Sequence, residues 1–319
     1  MNAIEKPLVY VLILNWNSKN ITIECIQSIL KSDYPNFKLA VIDNNSSDNS
    51  VEAIREKFND FVKIIESDQN LGYARGMNLG LNITNQENPH YFFILNNDTR
   101  LDPFAISELV KVSQKYNDNC LVTGKVYHYD QPKILQYIGA KIIDKKYLKM
   151  QRIGRDEEDK GQYDEESERD MIDDIFWLMP TKIYRKVGGY SNYFFMNGEQ
   201  ADLALRVVKS GHKLIYTPNA KIWHKGSLST GGREANLKMK YWDMKSRMIF
   251  RYLHMQKKYF IILYFQVLIN IIVSFIKGII KLLLRKNFSL KVVYASFRGF
   301  LSFTCWIFTK REATSFNPF

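Results

Sequence analysis

Four short apolar runs, at residues 9–14, 39–42, 62–65 and 91–95, alternate with four helical patterns at 22–31, 50–58, 77–83 and 103–116. No other feature of the chain limits its fold so strongly. Strand then helix, four times over, is the pattern of parallel strands joined by crossover helices, so an α/β class is expected. Pro103 falls in the first turn of the last helical pattern, where a missing N–H costs least. In such sheets ligands bind beyond the carboxyl ends of the strands. The polar residues gathered at those ends are 15–17, 43–48 and 96–98.

Composition narrows the class further. The 319 residues are 46% hydrophobic, enough for one large or two medium domains with a real core, which excludes a disordered or fibrous chain. Cys25, Cys120 and Cys305 lie far apart without C-x-x-C spacing. That excludes a disulfide framework or a cysteine-rich zinc site and fits a reducing compartment. The apolar run 8–14 lacks the basic flank of a signal peptide, so a protein that is not secreted is expected. The net charge of +12 is unevenly spread: residues 221–319 carry 18 basic and 3 acidic side chains, which leaves −3 for residues 1–220. These basic residues stand among long apolar runs, which points to an anionic membrane surface. A nucleic-acid partner is not expected, because zinc, helix-turn-helix and RNA-recognition signatures are lacking.

Residues 155–174 hold eleven Asp or Glu in twenty positions, a solvated loop or an active-site lid. After it, 175–189 and 199–210 read as helices stopped by glycines, and 214–216 and 221–223 as short strands. Beyond residue 233 the pattern is helical and apolar. Residues 259–276 are long enough for a membrane span, but Gln266, Asn270, Ser274, Lys277, Lys281 and Arg285 recur at steps of three and four and draw one polar stripe. A second segment repeats this with Lys291, Arg298 and Ser302. Two amphipathic helices lying in the membrane interface are expected; a helical cap packed on the α/β core is the competing reading.

Several residues stand where chemistry is feasible. Asp43 ends a strand and can accept a hydrogen bond from a base N–H; it can equally serve an Asx turn. Asn96, Asn97 and Asp98 close the strand at 91–95, and Asp98 can hold a hard divalent cation that bridges two phosphates. Residues 70–80, with Arg75 and Asn78, set glycines at a helix start that favours a diphosphate. Glu199 and Asp202 open a later helix; Asp202 lies one turn before Arg206 and can pair with it, leaving Glu199 as a candidate general base or a helix-dipole partner. His224 ends a strand as a ligand or a structural histidine.

In order and spacing, Asn15-Trp16-Asn17, residues 41–48, residues 70–80 and Leu95-Asn96-Asn97-Asp98-Thr99 resemble the family 2 glycosyltransferases, particularly their rhamnosyltransferase-like branch. The resemblance runs from about Leu8 to about Arg251. It implies a GT-A fold, a Rossmann-like nucleotide-diphospho-sugar transferase domain over residues 1–232, followed by a helical membrane-associating extension over 233–319. It also implies a nucleotide-diphosphate sugar donor, Mg²⁺ or Mn²⁺, and inversion at the anomeric carbon. Carried onto this chain, Asp43 contacts the base, with Asn15, Asn17 and Asn45 beside it. Asp98 is the surviving carboxylate of the metal motif, with Asn96 at its first position and Asn97 between, and His224 is a further ligand. Arg75 and Asn78 lie near the diphosphate or donor sugar.

One position departs from the pattern. The presumed base of many relatives is an Asp where this chain has Gln200, and a neutral amide cannot take a proton. Glu199 is then the expected base, with Asp202 as runner-up; the alternative is a catalytically weak or inactive nucleotide-sugar-binding paralogue. The acceptor, a glycan or a lipid-linked saccharide of polysaccharide assembly, is expected against residues 155–174, Trp177 and the start of the Glu199 helix. The resemblance and the basic apolar end together place the protein at the cytoplasmic face of the cell membrane, peripheral or monotopic. Removing the chain after about Lys257 is expected to abolish membrane association and spare nucleotide binding.

Overall fold

The computed structural model describes residues 6–226, 237–284 and 290–313. The four alternating units fold as β1 (Val9–Asn15), α1 (Lys19–Ile29), β2 (Phe37–Asp43), α2 (Ser50–Phe58), β3 (Val62–Glu66), α3 (Gly72–Asn85), β4 (Tyr91–Asn96), β5 (Thr99–Leu101) and α4 (Ala105–Lys115). Strands β1 to β4 are parallel in the order β3-β2-β1-β4. The residues of β1, β2 and β4 are mostly buried, as expected of strands covered by helices on both faces, whereas β3, at the edge of the sheet, is partly exposed. Gly76 and Gly80 let α3 lie on Leu14 and Ile42, whose side chains would stand 2.7 and 2.6 Å from an added Cβ.

The second half extends the same sheet. β6 (Cys120–His128), β7 (Leu135–Tyr137), β8 (Ala140–Asp144), β9 (Lys149–Arg152), β10 (Ser167–Glu168) and β11 (Phe176–Pro180) lead to α5 (Thr181–Val187), α6 (Glu199–Lys209) and β12 (Lys213–His224). The helix expected over 175–189 is in fact a central strand followed by a short helix. β11 inserts antiparallel between β4 and β6, and Pro180 marks the change. The two short strands expected at 214–216 and 221–223 are one strand with a register shift between Tyr216 and Lys221, parallel to β6. Gly124 sits opposite this irregularity, where an added Cβ would collide with the Ala220 carbonyl. Gly124→Ala should therefore cost about 2–3 kcal/mol, read as a lower urea midpoint with an unchanged slope.

The acidic stretch is anchored. Lys125 on β6, its side chain 3% exposed, holds Asp159 at 2.7 Å and Asp164 at 2.5 Å. Tyr216 donates to the Tyr163 carbonyl at 2.8 Å, and residues 167–168 join β12 as β10.

Three helices follow: α7 (Leu237–His254), α8 (Lys257–Leu283) and α9 (Leu290–Thr309). The expected boundary at 232/233 and Arg285 of the expected polar stripe lie outside the described residues. Met248, Ile249, Phe260, Phe300, Phe303 and Trp306 belong to the same hydrophobic core as the sheet. Tyr252 meets Phe260 and Trp306 edge to face at 5.3 and 5.7 Å. Past α9, Ala313 N–H donates to Asn192 O at 3.0 Å. Truncation after Lys257 would strip apolar cover from α7, so that variant reports on folding as well as on membranes.

Helices α8 and α9 are both long and apolar enough to cross a membrane. α8 has three faces. Phe260, Ile271 and Gly278 are buried, whereas Ile261, Phe265, Ile269, Ile272, Ile276 and Leu283 are exposed. At about 100° per residue these exposed apolar side chains share one sector of roughly 80°. Gln266, Asn270, Lys277 and Lys281, also exposed, fill a neighbouring sector.

Candidate active site

The strand order turns back on itself between β1 and β4, the place where an open α/β sheet leaves a crevice at its carboxyl edge. A cavity of about 980 Å³ opens there, walled by the ends of β1 and β4, the start of α3, the 173–175 segment, the start of α6 and α7. Its α3 side is built by hydrogen bonds. Asn44 accepts from Leu71 N–H at 2.8 Å and donates to the Gly72 carbonyl at 3.2 Å, tying β2 to α3. Tyr73 N–H donates to Phe195 O at 2.8 Å, and Gly72 N–H to Asn70 Oδ1 at 2.9 Å. Gly72 has φ +75°, and a side chain there would also strike the Phe195 carbonyl. These first α3 amides are thus satisfied within the protein.

At the β4 edge, Asn96, Asn97 and Asp98 line the cavity together with His224. β5 pairs antiparallel with β12, setting Thr99 opposite His224. That register brings Asp98 Oδ1 to 3.0 Å from His224 Nε2, with the other ring nitrogen 2.5 Å from Gln136 Oε1. Asp98 is held by its backbone too, its carbonyl accepting from Lys225 N–H at 2.9 Å. No cluster of three or more His, Cys, Asp or Glu suited to a metal occurs among the described residues. One buried carboxylate and one imidazole facing a cavity nevertheless fit Mg²⁺ or Mn²⁺ when phosphate oxygens and water supply the rest.

At the α6 edge, Gly198 with φ +94° turns the chain so that Glu199 and Gln200 both line the cavity. Glu199 is 5% exposed, and its Oε2 has no hydrogen-bond partner among the described residues. Burial, reinforced by the neighbouring Asp174 charge, pushes its carboxyl up to about 8. Gln200 Oε1 accepts from Gly198 N–H at 3.1 Å. Asp202 faces elsewhere: it accepts from Arg206 Nε and pairs with His254 Nε2, each at 2.8 Å. Burial acts to raise the Asp202 carboxyl, but these two partners outweigh it and hold it below its usual range.

Of the other candidates, Asn15, Asn17, Asp43, Asn45, Arg75 and Asn78 do not line the cavity. Asn15 Nδ2 donates to Asp43 Oδ2 at 2.8 Å, and Ser46 N–H to Asp43 Oδ1 at 2.8 Å. Asn17 Oδ1 accepts from Ser47 N–H at 2.7 Å, and Asn45 is exposed in a left-handed conformation at φ 64°. Asn78 accepts from Tyr190 N–H at 2.8 Å, and Arg75 donates to Ala313 O at 3.2 Å with Glu312 3.8 Å away.

Sequence reasoning took residues 155–174 as one unit and did not single out Asp173 and Asp174. Both line the cavity, as do Arg155 and Asp156 from the same stretch, whereas Trp177 is buried in β11. Asp174 accepts from Tyr190 O–H at 2.7 Å; burial and the adjacent Asp173 charge raise it to about 7. Burial raises Asp173 as well, against the charges of Arg152 and His224. Tyr190 stacks on Trp177 and meets Tyr73 edge to face. The one available signal was a DD pair directly before an apolar run, at the entrance to a strand.

Among solved structures, the chain is similar to GalNAc-T7 with UDP, GalNAc and Mn²⁺, at TM-score 0.56 and 14% identity over 68% of this chain and 43% of that one. It is also similar to the mannosyltransferase PcManGT of Pyrobaculum calidifontis in complex with GDP-Man and Mn²⁺, at TM-score 0.54 and 13% identity, covering 77% and 63% of the two chains. S. aureus TarS (residues 1–349) with UDP-GlcNAc gives 0.53 and 11%, covering 76% and 65%. The shared fold is GT-A. By sequence it is 28% identical over 127 residues to the glycosyltransferase GlyG of Streptococcus pneumoniae serotype 4, 39% of this chain and 40% of that protein. It is 29% identical over 136 residues to a glycosyltransferase of Haemophilus influenzae, 42% and 41% of the respective lengths. The chain thus spans about two fifths of either relative. The model of glycosyl transferase family 2 matches residues 10–186, more than half of the sequence, and the chain belongs to that family.

Proposed function

We propose that this glycosyltransferase moves a sugar from a UDP- or dTDP-type nucleotide-diphosphate donor to a hydroxyl of a saccharide acceptor, with inversion. The observation that carries this reading is one cavity holding two functions: the Asp98–His224 pair and the buried, unpaired carboxylate of Glu199. Asp98 and His224 are the residues to hold Mg²⁺ or Mn²⁺, which when bound supplies positive charge to a leaving diphosphate. Glu199 accepts the acceptor hydroxyl's proton as that oxygen attacks the anomeric carbon, and the single displacement inverts it. Asp202, locked between Arg206 and His254, positions α6 against α7. The GDP-Man complex of PcManGT and the UDP-GlcNAc complex of TarS support a nucleotide-diphosphate sugar as the donor, and the latter a uridine nucleotide. Incubation with a panel of nucleotide sugars, Mn²⁺ and saccharide acceptors should release one nucleoside diphosphate; release with none of the panel would refute the reading.

The base must be ionised to act. With Glu199 titrating at about 8, kcat/KM should rise roughly tenfold per pH unit below that value and level off above it. Stability runs the other way. The folded pKa lies above the ordinary 4.5, so the stability contributed by the protonated form is complete below 4.5 and is lost as pH rises through about 8. Asp174, raised to about 7, adds a loss of the same sign, so the measured steps belong to the pair. A kcat/KM that falls between pH 6 and 8 would exclude Glu199 as base.

The exposed apolar face of α8, bordered by Lys277 and Lys281, supports association with an anionic membrane surface at its cytoplasmic side. Replacing Ile269 and Ile276 together by Asp should weaken binding to phosphatidylglycerol vesicles by about tenfold or more, since both side chains are exposed and the core is untouched. Unchanged sedimentation with vesicles would remove α8 as the contact.

A further inference from the structure

Three parts of the chain, far apart in sequence, meet beside the first turn of α3. Past α9, Glu312 accepts from Asn192 Nδ2 at 2.9 Å and faces Arg75 Nε at 3.8 Å. Ala313 N–H donates to Asn192 O at 3.0 Å, and the Ala313 carbonyl accepts from Arg75 Nη1 at 3.2 Å. Ala313 is buried in one cluster with Phe195, Tyr241 and Trp242, and Tyr193 meets Trp306 of α9 edge to face at 5.0 Å. Glu312 is half exposed, so its pairing energy with Arg75 is small. What these contacts fix is the place of Asn192 relative to α3. From Asn192 the contacts run inward. Its Oδ1 accepts from Asn78 Nδ2 at 3.0 Å, and Asn78 holds both backbone groups of Tyr190, the N–H at 2.8 Å and the carbonyl at 2.7 Å. Tyr190 in turn donates to Asp174 in the cavity wall.

Residues 190–198 thus run from this brace to the start of α6. Phe195, Met196 and Asn197 line the cavity, and Gly198 turns the chain into Glu199. Glu199 Oε2 has no hydrogen-bond partner among the described residues, so the backbone leading into α6 sets where that oxygen lies. A shift of about 1 Å in a reacting group costs on the order of a hundredfold in rate. Arg75 does not line the cavity; its guanidinium is turned to Ala313 and Glu312. We propose that Asn192 and Arg75, braced by Glu312 and Ala313, are positioning residues that hold Glu199 in place for the acceptor hydroxyl, and that Arg75 is not a ligand of the donor diphosphate. The role in transfer rests on the glycosyltransferase reading above. Asn192 directs its donor outward to Glu312 and its acceptor inward to Asn78, so the outward tie can be cut alone.

The test uses the full chain and follows three quantities: kcat for nucleoside diphosphate release from the nucleotide-sugar panel above, UDP binding with Mn²⁺, and amide hydrogen exchange over residues 190–198. Asn192→Asp keeps the acceptor toward Asn78 and sets a carboxylate against Glu312. It should lower kcat about tenfold, keep UDP affinity within about twofold and speed exchange in that segment. Asn192→Asp/Glu312→Gln restores the bond with donor and acceptor exchanged, and should return kcat to within about threefold of the wild type. Glu312→Gln alone, which can still accept from Asn192, should lose less than Asn192→Asp. Arg75→Ala should lower kcat in the same direction with UDP affinity again within about twofold. Undiminished turnover in Asn192→Asp would overturn the proposal, as would a double variant no better than Asn192→Asp. So would a loss of UDP affinity in Arg75→Ala, which would assign Arg75 to the diphosphate. If the wild type releases no nucleoside diphosphate, the glycosyltransferase reading fails; the exchange comparison still decides the brace, which equal exchange in the wild type and Asn192→Asp would overturn.

Discussion

Glu199→Gln should lower kcat by about 10²–10⁴-fold while nucleotide binding is retained, the range expected when a general base is replaced by its isosteric amide. The change keeps volume and shape and removes only the capacity to take a proton. Its environment makes it informative. Glu199 is buried, its Oε2 lacks a hydrogen-bond partner among the described residues, and the Asp174 charge is close enough to raise it further. A carboxylate kept there for stability alone would be paired, as Asp202 is by Arg206 and His254. The amide variant should also flatten the decline in stability between about pH 4.5 and 8, because the group that titrates there is gone. Asp202→Asn should behave differently, lowering the denaturation midpoint through the loss of a buried charge partner. Full turnover by Glu199→Gln would remove Glu199 as the base and return that role to Asp202.

Asp98→Ala should reduce metal-dependent turnover on the order of a hundredfold or more, with His224→Ala behaving in the same direction. The pairing of β5 with β12 sets this contact: three residues of β5 fix the level at which Asp98 meets His224, 126 positions later in the chain. Excess Mn²⁺ should partly restore the His224 variant, which keeps its carboxylate, and should restore the Asp98 variant far less. Activity in chelator equal to activity with Mn²⁺ would show that the pair serves another purpose.

The parallel half of the sheet was legible because each strand there is a short apolar run bounded by polar turns, with a helical pattern between. β11 was not. Its residues run without a break into α5, and periodicity cannot separate a buried strand from a buried helix; Pro180 was the overlooked signal. β6 escaped because Gly124, Lys125 and His128 interrupt its pattern, and Lys125 is buried only thanks to Asp159 and Asp164, 34 and 39 positions on. Asp98, His224 and Glu199 could be picked out as strand and helix ends, and one cavity gathers all three. The Asp202–Arg206 pair followed from helical spacing. Arg75 could not be placed from local sequence, since its contacts are Glu312 and Ala313, beyond the last helix.

The central claim is that the cavity at the β1/β4 edge is a nucleotide-diphosphate site completed by a divalent ion. Calorimetric titration of the full chain with UDP, dTDP and GDP, each with and without Mn²⁺ or Mg²⁺, tests it most directly, with Asp98→Ala as control. The account predicts metal-dependent binding of one nucleotide that the Asp98 variant loses. Absence of binding by all three, or binding indifferent to both metal and Asp98, would contradict it.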